Sequence, residues 1–422
     1  GKGWEIVVGC VGKPSAGKSS FFNAATDAVA KVGNYPFTTI EPNIGVAYYE
    51  TPCACARHDK VALCAPRHGW CAQGRRFVPF KLLDVAGLVP GACDGAGLGN
   101  KFLDDLRQAD VLIHVIDVSG TTNEKGEATV GYDPINDVEW LNHEIHQWIF
   151  NNLWTKWTNI VRRHVATKST AADTLSNMLS GYGASHAQVQ RFLDVMGVKE
   201  PSGLETWDAG RLHEIVQGFI EERFPTILVL NKADQTEADK NILRICRKFG
   251  QERVVVTSAL AECFLRKMAK AGFIRYDRGD DDFATSSGEA AAAAAGAEAT
   301  PLKPVDDKVG RRLENIRDMV LLRYGGTGVQ DALQKAVSLR TPTIAYPVAN
   351  VHSMAHTDGT VFKHALFLRP GTTVRQFAGI LSRELDESFA YAEGADGCRM
   401  AEDEEITNEN NVIRIVCTQD PS

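Results

Sequence analysis

The segment "GKPSAGKSS" constrains the fold of this chain more than any other, because it fits the pattern G-x-x-x-x-G-K-[ST]. It follows the apolar run "EIVVGC" and precedes the helical pattern "FFNAATDAVA". In that setting the glycines let backbone N–H groups surround phosphates at the amino end of a helix. The sequence therefore predicts a phosphate-binding loop made of Gly12, Lys13, Pro14, Ser15, Ala16, Gly17, Lys18, Ser19 and Ser20.

Side chains in and beyond this loop predict how a triphosphate and its metal ion are held. Lys18 is expected to reach the β- and γ-phosphates, and Ser19 to supply an oxygen ligand to Mg²⁺. A strand-like run ends in "DVAG", where Asp84 can hold the same ion and the Gly87 amide can meet the γ-phosphate. Mg²⁺ is therefore the predicted cofactor.

Two neighbouring segments bear on switching and hydrolysis. The segment "NYPFTTIEPN" contains Thr38 and Thr39, one of which is expected to close over Mg²⁺ when the γ-phosphate is present. Leu88 stands where Ras-like enzymes carry the glutamine that orients the attacking water. Because leucine cannot polarise water, hydrolysis would have to use the phosphates themselves, a backbone amide or a partner's charge.

A third set of motifs predicts which base is recognised. In "NKAD", the Asp234 carboxylate can accept two hydrogen bonds from the N1–H and N2–H₂ edge of guanine, and adenine has no such donor pair. Asn231 is expected to brace the loop, and Lys232 to pack along the base. The segment "TSA" adds Ser258 and Ala259, whose amide is expected to donate to guanine O6. GTP and GDP are therefore the predicted ligands.

Short β-branched runs alternate with helical patterns over residues 1–275, for example "VLIHVIDV" and "TILVLNKAD". Nearly continuous apolar strands separated by helices predict an α/β fold with a doubly wound, mostly parallel sheet covered on both faces. Two insertions interrupt this domain. The first, about 51–74, carries four cysteines, and the second, about 136–224, is helical and places Trp148 and Trp157 on a buried face.

The remainder of the chain predicts three further segments. Residues 276–305 are acidic and then Ala-rich, which is typical of a low-complexity linker. A helical segment at 306–340 is expected to complete the first domain. Residues 341–419 follow the order strand, strand, helix, strand, which predicts a small α+β domain.

The amino-acid composition bears on which partners and which cellular compartment we expect for the chain. The chain has 422 residues, 44% of them hydrophobic and 23% charged, and no apolar run approaches the ~18 residues needed to span a bilayer. A net charge of −7 argues against a globally basic nucleic-acid binder but leaves local basic patches open, and DNA is not an expected partner. Ten scattered cysteines without a secretory segment are typical of reduced thiols, so we expect a cytoplasmic protein without a membrane partner.

The chain resembles the Obg-like branch of GTPases, and within it the archaeal and eukaryotic YchF-related proteins. The segments that carry the match are "GKPSAGKSSFFNAAT", "NYPFTTIEPNIG", "DVAGLVPGACDGAGLGNKFLDDLRQADVLIHVIDVSG", "NKAD" and, resembling a TGS domain, "HALFLRPGTTVRQFA". The resemblance implies a GTPase domain with a helical insertion, a C-terminal ubiquitin-like β-grasp TGS domain, and a role near ribosomes or ribosomal RNA. It favours Thr39 over Thr38 as a ligand of Mg²⁺ beside Ser19 and Asp84.

The expected function is slow hydrolysis of GTP to GDP and phosphate by a molecular switch, with Lys18, Thr39 and Gly87 as the catalytic groups. Two alternatives stay open on the sequence alone. One is a nucleotide-gated scaffold for RNA or protein that scarcely hydrolyses. The other is an ATPase, because known YchF proteins with an altered base-recognition motif prefer ATP, whereas "NKAD" here favours GTP.

The first insertion also raises the question of a metal. Its four cysteines, Cys53, Cys55, Cys64 and Cys71, could bind zinc, but zinc knuckles usually show paired C-x₂-C spacing. The irregular spacing favours free thiols in a surface excursion. The same region contains Arg57, Lys60, Arg67, Arg75 and Arg76, which form either a solvated basic loop or a patch for ribosomal RNA.

Overall fold

The computed structural model describes residues 3–27, 36–37, 41–85, 87, 98–288 and 301–418. The described strands, in chain order, are β1 (Val7–Val11), β2 (Ile44–Pro52), β3 (Trp70–Ala72), β4 (Arg75–Asp84), β5 (Val111–Asp117), β6 (Thr226–Asn231), β7 (Val254–Val256), β8 (Ile274–Arg275), β9 (Ala284–Thr285), β10 (Thr343–Pro347), β11 (Leu366–Leu368), β12 (Phe389–Gly394), β13 (Arg399–Met400) and β14 (Val412–Cys417).

The described helices, in chain order, are α1 (Lys18–Ala25), α2 (Ala54–Arg57), α3 (Leu98–Leu106), α4 (Ile135–Thr155), α5 (Trp157–Thr167), α6 (Ala171–Leu179), α7 (His186–Val195), α8 (Ala209–Arg223), α9 (Ala238–Phe249), α10 (Ala259–Lys270), α11 (Asp307–Ile316), α12 (Leu322–Tyr324), α13 (Val329–Ser338), α14 (Val374–Leu381) and α15 (Arg383–Glu387). A π-helical turn, Arg317–Leu321, joins α11 to α12. In the described chain, no helix is at once long enough and apolar enough to cross a membrane.

The chain divides into two compact units. One comprises Gly9–Ala25 and Leu83–Ala332, and we call it the phosphate-loop unit. The other comprises Gly1–Val8, Thr26–Leu82 and Leu333–Ser422, and we call it the C-terminal unit. Strands β1 and β4 contribute their carboxyl ends to the first and their amino ends to the second.

The phosphate-loop unit is built on parallel strands. The neighbouring strands of its sheet are, in order, the carboxyl ends of β4 and β1 and then β5, β6 and β7. Asp117 at the end of β5 lies opposite Asn231 at the end of β6. Strand β5 is buried at every position, as its unbroken apolar run predicts for a strand covered on both faces. The predicted α/β class with a mostly parallel sheet is confirmed.

His114 lies within that apolar strand and is only 3% exposed. Burial lowers the pKa of its imidazole to about 4, and the nearby Lys13 ammonium acts in the same direction. The ring is therefore neutral at physiological pH. His114 is therefore a neutral core residue of β5.

The second insertion is helical, as predicted, and consists of α4 to α8. Leu141, Ile145 and Ile149 follow the buried stripe of α4 at spacings of three to four residues. Of the two tryptophans assigned to the core, Trp157 is buried at 6% exposure. The assignment of Trp148 is wrong in part, because this side chain is half-buried and packs edge-on against Tyr182 at 4.7 Å.

The predicted start of the low-complexity linker at residue 276 is too early. Strand β8 pairs with β9, and Tyr276 and Phe283 are buried in a cluster with Leu313 and Val320 of the helical segment that follows. Two aromatic side chains in the acidic run "YDRGDDDF" supply enough apolar surface to anchor it. Residues 289–300 of the predicted linker lie outside the described residues.

The C-terminal unit contains a mixed sheet in the order β11-β10-β14-β12-β13, in which β10 and β14 are parallel. Helix α14 contributes Val374 and Phe377 to the core of this sheet. A helix packed on a mixed sheet is consistent with the predicted β-grasp domain. The segment "TVRQFAGILSRELDESF" has the pattern of one continuous helix that ends at Phe389, but Ser382 caps the short α15 and Phe389 begins β12.

The same unit contains the first insertion. Strand β2 lies beside the amino-terminal part of β4, and β3 pairs antiparallel with β4, with Cys71 opposite Arg76. The insertion is thus a folded extension of the sheet edge and not only a surface loop.

Candidate nucleotide site

The phosphate-binding loop runs from the end of β1 to the start of α1. Ser15 and Gly17 both adopt left-handed backbone conformations, with φ of 66° and 92°. A Cβ atom at Gly17 would lie 2.2 Å from the Asn231 side-chain nitrogen, so no larger residue fits there. The loop therefore has the turn and the close approach that its glycines predict.

Lys18 and Asp84 meet where α1 begins and β4 ends. The Lys18 ammonium lies 3.0 Å from an Asp84 carboxylate oxygen, and it also donates to the Val85 carbonyl. Both side chains are only partly exposed, at 15% and 35%. The structure thus brings together the cation predicted to hold phosphates and the carboxylate predicted to hold Mg²⁺.

Asn231 connects the phosphate loop to the predicted base-recognition segment. Its side-chain N–H donates to the Ala16 carbonyl at 3.2 Å, and its oxygen accepts from the Ala259 amide at 3.0 Å. Thr257 donates a further hydrogen bond to the same oxygen, and Asn231 is only 2% exposed. Because buried polar groups are costly when unpaired, these bonds fix the two loops relative to each other.

Lys232 forms a second connection. Its ammonium donates to the Ser15 carbonyl at 2.7 Å and lies 3.1 Å from an Asp117 carboxylate oxygen. Burial acts to raise the pKa of Asp117, but hydrogen bonds from Ser119 and Thr122, together with Lys232, hold it below its usual range. Asp117 is therefore a charged structural group, and the Lys232 head group reaches the phosphate loop.

The outer side of the loop is held by residues that the sequence analysis did not identify. Lys13 forms a buried ion pair with Asp137 at 2.7 Å, donates to the Thr122 carbonyl at 3.0 Å, and lies 4.4 Å from the centre of the Tyr132 ring. The Lys13 side chain is therefore engaged within the protein, which leaves its backbone for the predicted phosphate contact. Asp137 stands four residues before Leu141 on the buried stripe of α4, and a carboxylate at such a position was the available signal.

On the base side of the site, the structure shows where Asp234, Ser258 and Ala259 lie and which contacts their amides make. The Asp234 carboxylate is exposed and accessible to a ligand. The Ala259 amide, predicted to donate to guanine O6, instead donates to Asn231. The Ser258 amide likewise donates to the Thr327 carbonyl at 3.0 Å. A base could use the Ala259 amide only by sharing or displacing its bond to Asn231.

The sequence of this chain matches two family models and is similar to proteins of one GTPase family. The family model of the Obg-like GTPase YGR210-like, G4 motif-containing domain matches residues 229–350, and that of the 50S ribosome-binding GTPase matches residues 7–156. A GTP-binding protein of Schizosaccharomyces pombe is 46% identical over 381 residues, which is 89% of each chain. The chain belongs to the Obg-like, YchF-type GTPase family.

Solved structures agree with this family assignment. A GTP-binding protein from Pyrococcus horikoshii has a TM-score of 0.71 and 29% identity, covering 98% of this chain and all of that one. The YchF GTPase of Schizosaccharomyces pombe has a TM-score of 0.50 and 16% identity over 99% of each chain, and shows the fold alone. The P-loop GTPase fold with a second, C-terminal sheet is thereby confirmed.

Several predicted residues of this Obg-like site lie outside the described residues, namely Thr38, Thr39 and Leu88. Gly87 is described and exposed, with open space around its α-carbon. Ser19 is exposed at the first turn of α1. The hydroxyl of Ser19 and the carboxylate of Asp84 are hard oxygen donors of the kind that Mg²⁺ prefers, so the donor set fits that ion.

Proposed function

We propose that this Obg-like chain binds GTP with Mg²⁺, hydrolyses it slowly to GDP and phosphate, and acts as a switch associated with ribosomes. The observation that supports this proposal most is the set of Asn231 hydrogen bonds between the phosphate loop and the base-recognition segment. A site in which phosphate and base contacts are held in one rigid frame is suited to recognising a whole nucleotide.

The choice of guanine rests on Asp234. An exposed carboxylate at the end of "NKAD" can accept both hydrogen bonds from the guanine edge, whereas adenine would leave it unpaired. This argument favours GTP over the ATP preference of YchF proteins with an altered motif.

The remaining motif residues would have the following roles. Mg²⁺ would be held by Ser19, Asp84 and Thr39, and it would neutralise charge on the β- and γ-phosphates. Lys18 would exchange its contact with Asp84 for the phosphate oxygens, and the Gly87 amide would meet the γ-phosphate. With leucine at position 88, charge supplied by a partner would speed the reaction.

Measurement of single-turnover phosphate release tests both whether the chain hydrolyses GTP and whether ribosomes accelerate that hydrolysis. We expect slow release from GTP by the chain alone and at least about tenfold faster release when ribosomes are added. Fluorescent phosphate-binding protein would report the rate, with Lys18→Ala as the control that abolishes it. Release no faster than buffer alone, with and without ribosomes, would contradict the enzyme and favour a nucleotide-gated scaffold.

Asp84→Asn tests the proposed metal ligand. We expect Mg²⁺ to strengthen GTP binding in the wild type, and the substitution to remove most of that gain, about tenfold or more, because an amide is a poorer ligand than a carboxylate. Binding without Mg²⁺ should not weaken, since Asp84 also competes for Lys18. Titrations with labelled GTP, with and without Mg²⁺, measure both effects. Asp104→Asn, an exposed acid on α3, is the matched control, and an unchanged Mg²⁺ dependence in Asp84→Asn would refute the role.

A further inference from the structure

Four cysteines of the first insertion converge at one point in the C-terminal unit. Cys53 and Cys55 flank the start of α2, Cys64 follows a 3₁₀ turn, and Cys71 lies in β3. All four sulfur atoms lie within 4.8 Å of one another. Cys53 and Cys55 are fully buried, and Cys64 and Cys71 are half-buried. Three separate local elements therefore deliver thiols to a single small volume.

The sulfur separations match a tetrahedral metal site. The Sγ atoms of Cys53 and Cys64 are 3.8 Å apart, and those of Cys55 and Cys71 are 3.7 Å apart. Four sulfurs at ~2.3 Å from a central zinc ion are separated by about 3.8 Å. A disulfide would instead bring two sulfurs to about 2.05 Å. The irregular spacing in the sequence is therefore compatible with a regular arrangement in space.

A buried cation beside the cluster gives a second, independent argument. Arg76 is 1% exposed, and its Nη1 lies 4.0 Å from the Cys53 sulfur and 3.7 Å from the Cys64 sulfur. It also donates to the Phe362 carbonyl at 2.7 Å. Among the described residues no carboxylate pairs with it, and an uncompensated buried charge is costly. Four thiolates around one divalent ion carry two net negative charges, which Arg76 would partly balance.

We propose that Cys53, Cys55, Cys64 and Cys71 bind one zinc ion in a closed, structural site. Each cysteine supplies one thiolate, so no coordination position is left for water or substrate. Zinc binding releases the thiol protons to solvent and involves no electron transfer. The proposal is independent of the nucleotide chemistry.

The ion would fix the insertion against the C-terminal sheet of the same unit. The Ala65 amide donates to the Val361 carbonyl at 3.0 Å, and the Arg67 amide donates to the Lys363 carbonyl at 2.9 Å. Arg57 donates to the Asn411 side chain at 2.5 Å. These polar contacts lie around the cysteine cluster, and the metal would add a cross-link between α2, the turn that ends at Cys64 and β3. Arg76 is buried at this point and is not available to a patch for RNA, whereas Arg57 is exposed.

Metal analysis of the full-length chain, purified under reducing conditions with zinc supplied, tests the site. We expect about one zinc per chain by elemental mass spectrometry, and loss of most of it in Cys71→Ser. The control Cys398→Ser removes an exposed cysteine that lies outside the cluster, and should keep its zinc.

Cobalt substitution keeps the test decisive if Cys71→Ser fails to fold. Co²⁺ added to the zinc-depleted wild type should give thiolate charge-transfer bands and the intense visible bands of tetrahedral coordination, and zinc should displace them. A wild type that holds no zinc and gives no such bands would overturn the proposal. Iron in place of zinc, or a folded Cys71→Ser with full zinc content, would overturn it as well.

Discussion

Asp234→Asn is expected to shift nucleotide preference from guanine towards xanthine by about two to three orders of magnitude. The carboxylate accepts hydrogen bonds from guanine N1–H and N2–H₂. An asparagine can instead donate to the 2-oxo group of xanthine, and it leaves the guanine amino group facing another donor. Because unmatched polar groups in a site are penalised more heavily than lost contacts, affinity for GTP should fall as affinity for XTP rises.

Competition titrations against a labelled nucleotide measure this exchange with GTP, XTP and ATP. Glu237→Gln, which neutralises an exposed acid three residues later, is the matched control and should leave all three affinities unchanged. If Asp234→Asn keeps the wild-type order, the base-recognition assignment is wrong. Tighter binding of ATP than GTP by the wild type would lead to the same conclusion.

The second large effect is expected from Asn231→Ala, which removes the connection between the two loops. The substitution leaves the Ala259 amide and the Ala16 carbonyl without their buried partner. We expect GTP affinity to fall about a hundredfold, because both the phosphate loop and the base segment lose their common support. Calorimetric titration gives the affinity, and thermal unfolding gives the accompanying loss of stability.

Asn241→Ala separates loss of the site from general destabilisation. Asn241 is also 2% exposed and donates one buried hydrogen bond, to the Val118 carbonyl at 2.8 Å, but makes no contact with the phosphate loop. It should lower the melting temperature while GTP affinity stays within about twofold. Equal losses of affinity in the two variants would show that Asn231 acts through stability alone.

The nucleotide motifs were predictable because each is a local string at the end of a strand. Parallel strands bring their carboxyl ends to one edge of the sheet. The motifs that contain Lys18, Asp84 and Asn231 could therefore be placed in one region, although the conformations of the loops between them were unknown. Apolar periodicity likewise predicted the α4 helix. The proposed nucleotide contacts of these residues remain predictions.

The parts that the sequence missed depend on contacts between distant positions. The Lys13–Asp137 ion pair joins residues more than a hundred positions apart. Lys13 occupies a variable position of the phosphate-loop motif, and Asp137 belongs to none of the motifs, so the sequence does not point to the pair. The spacing of the cysteines in the sequence is not that of a zinc knuckle, because β3 and α2 are separate elements that each contribute cysteines to the cluster. Phe389 continued a helical pattern, although the cap at Ser382 ends the first helix and β12 requires its side chain in a sheet core.

Asp137 has a mechanical consequence for the phosphate loop. It lies in the first turn of α4, a 21-residue helix that is about 30 Å long. Its carboxylate forms an ion pair with Lys13 within the loop. If α4 pivots about its far end by about 5°, its first turn moves by roughly 2.6 Å, comparable with the 2.7 Å length of the ion pair. A tilt of the helical insertion would therefore be transmitted through this ion pair to the phosphate loop.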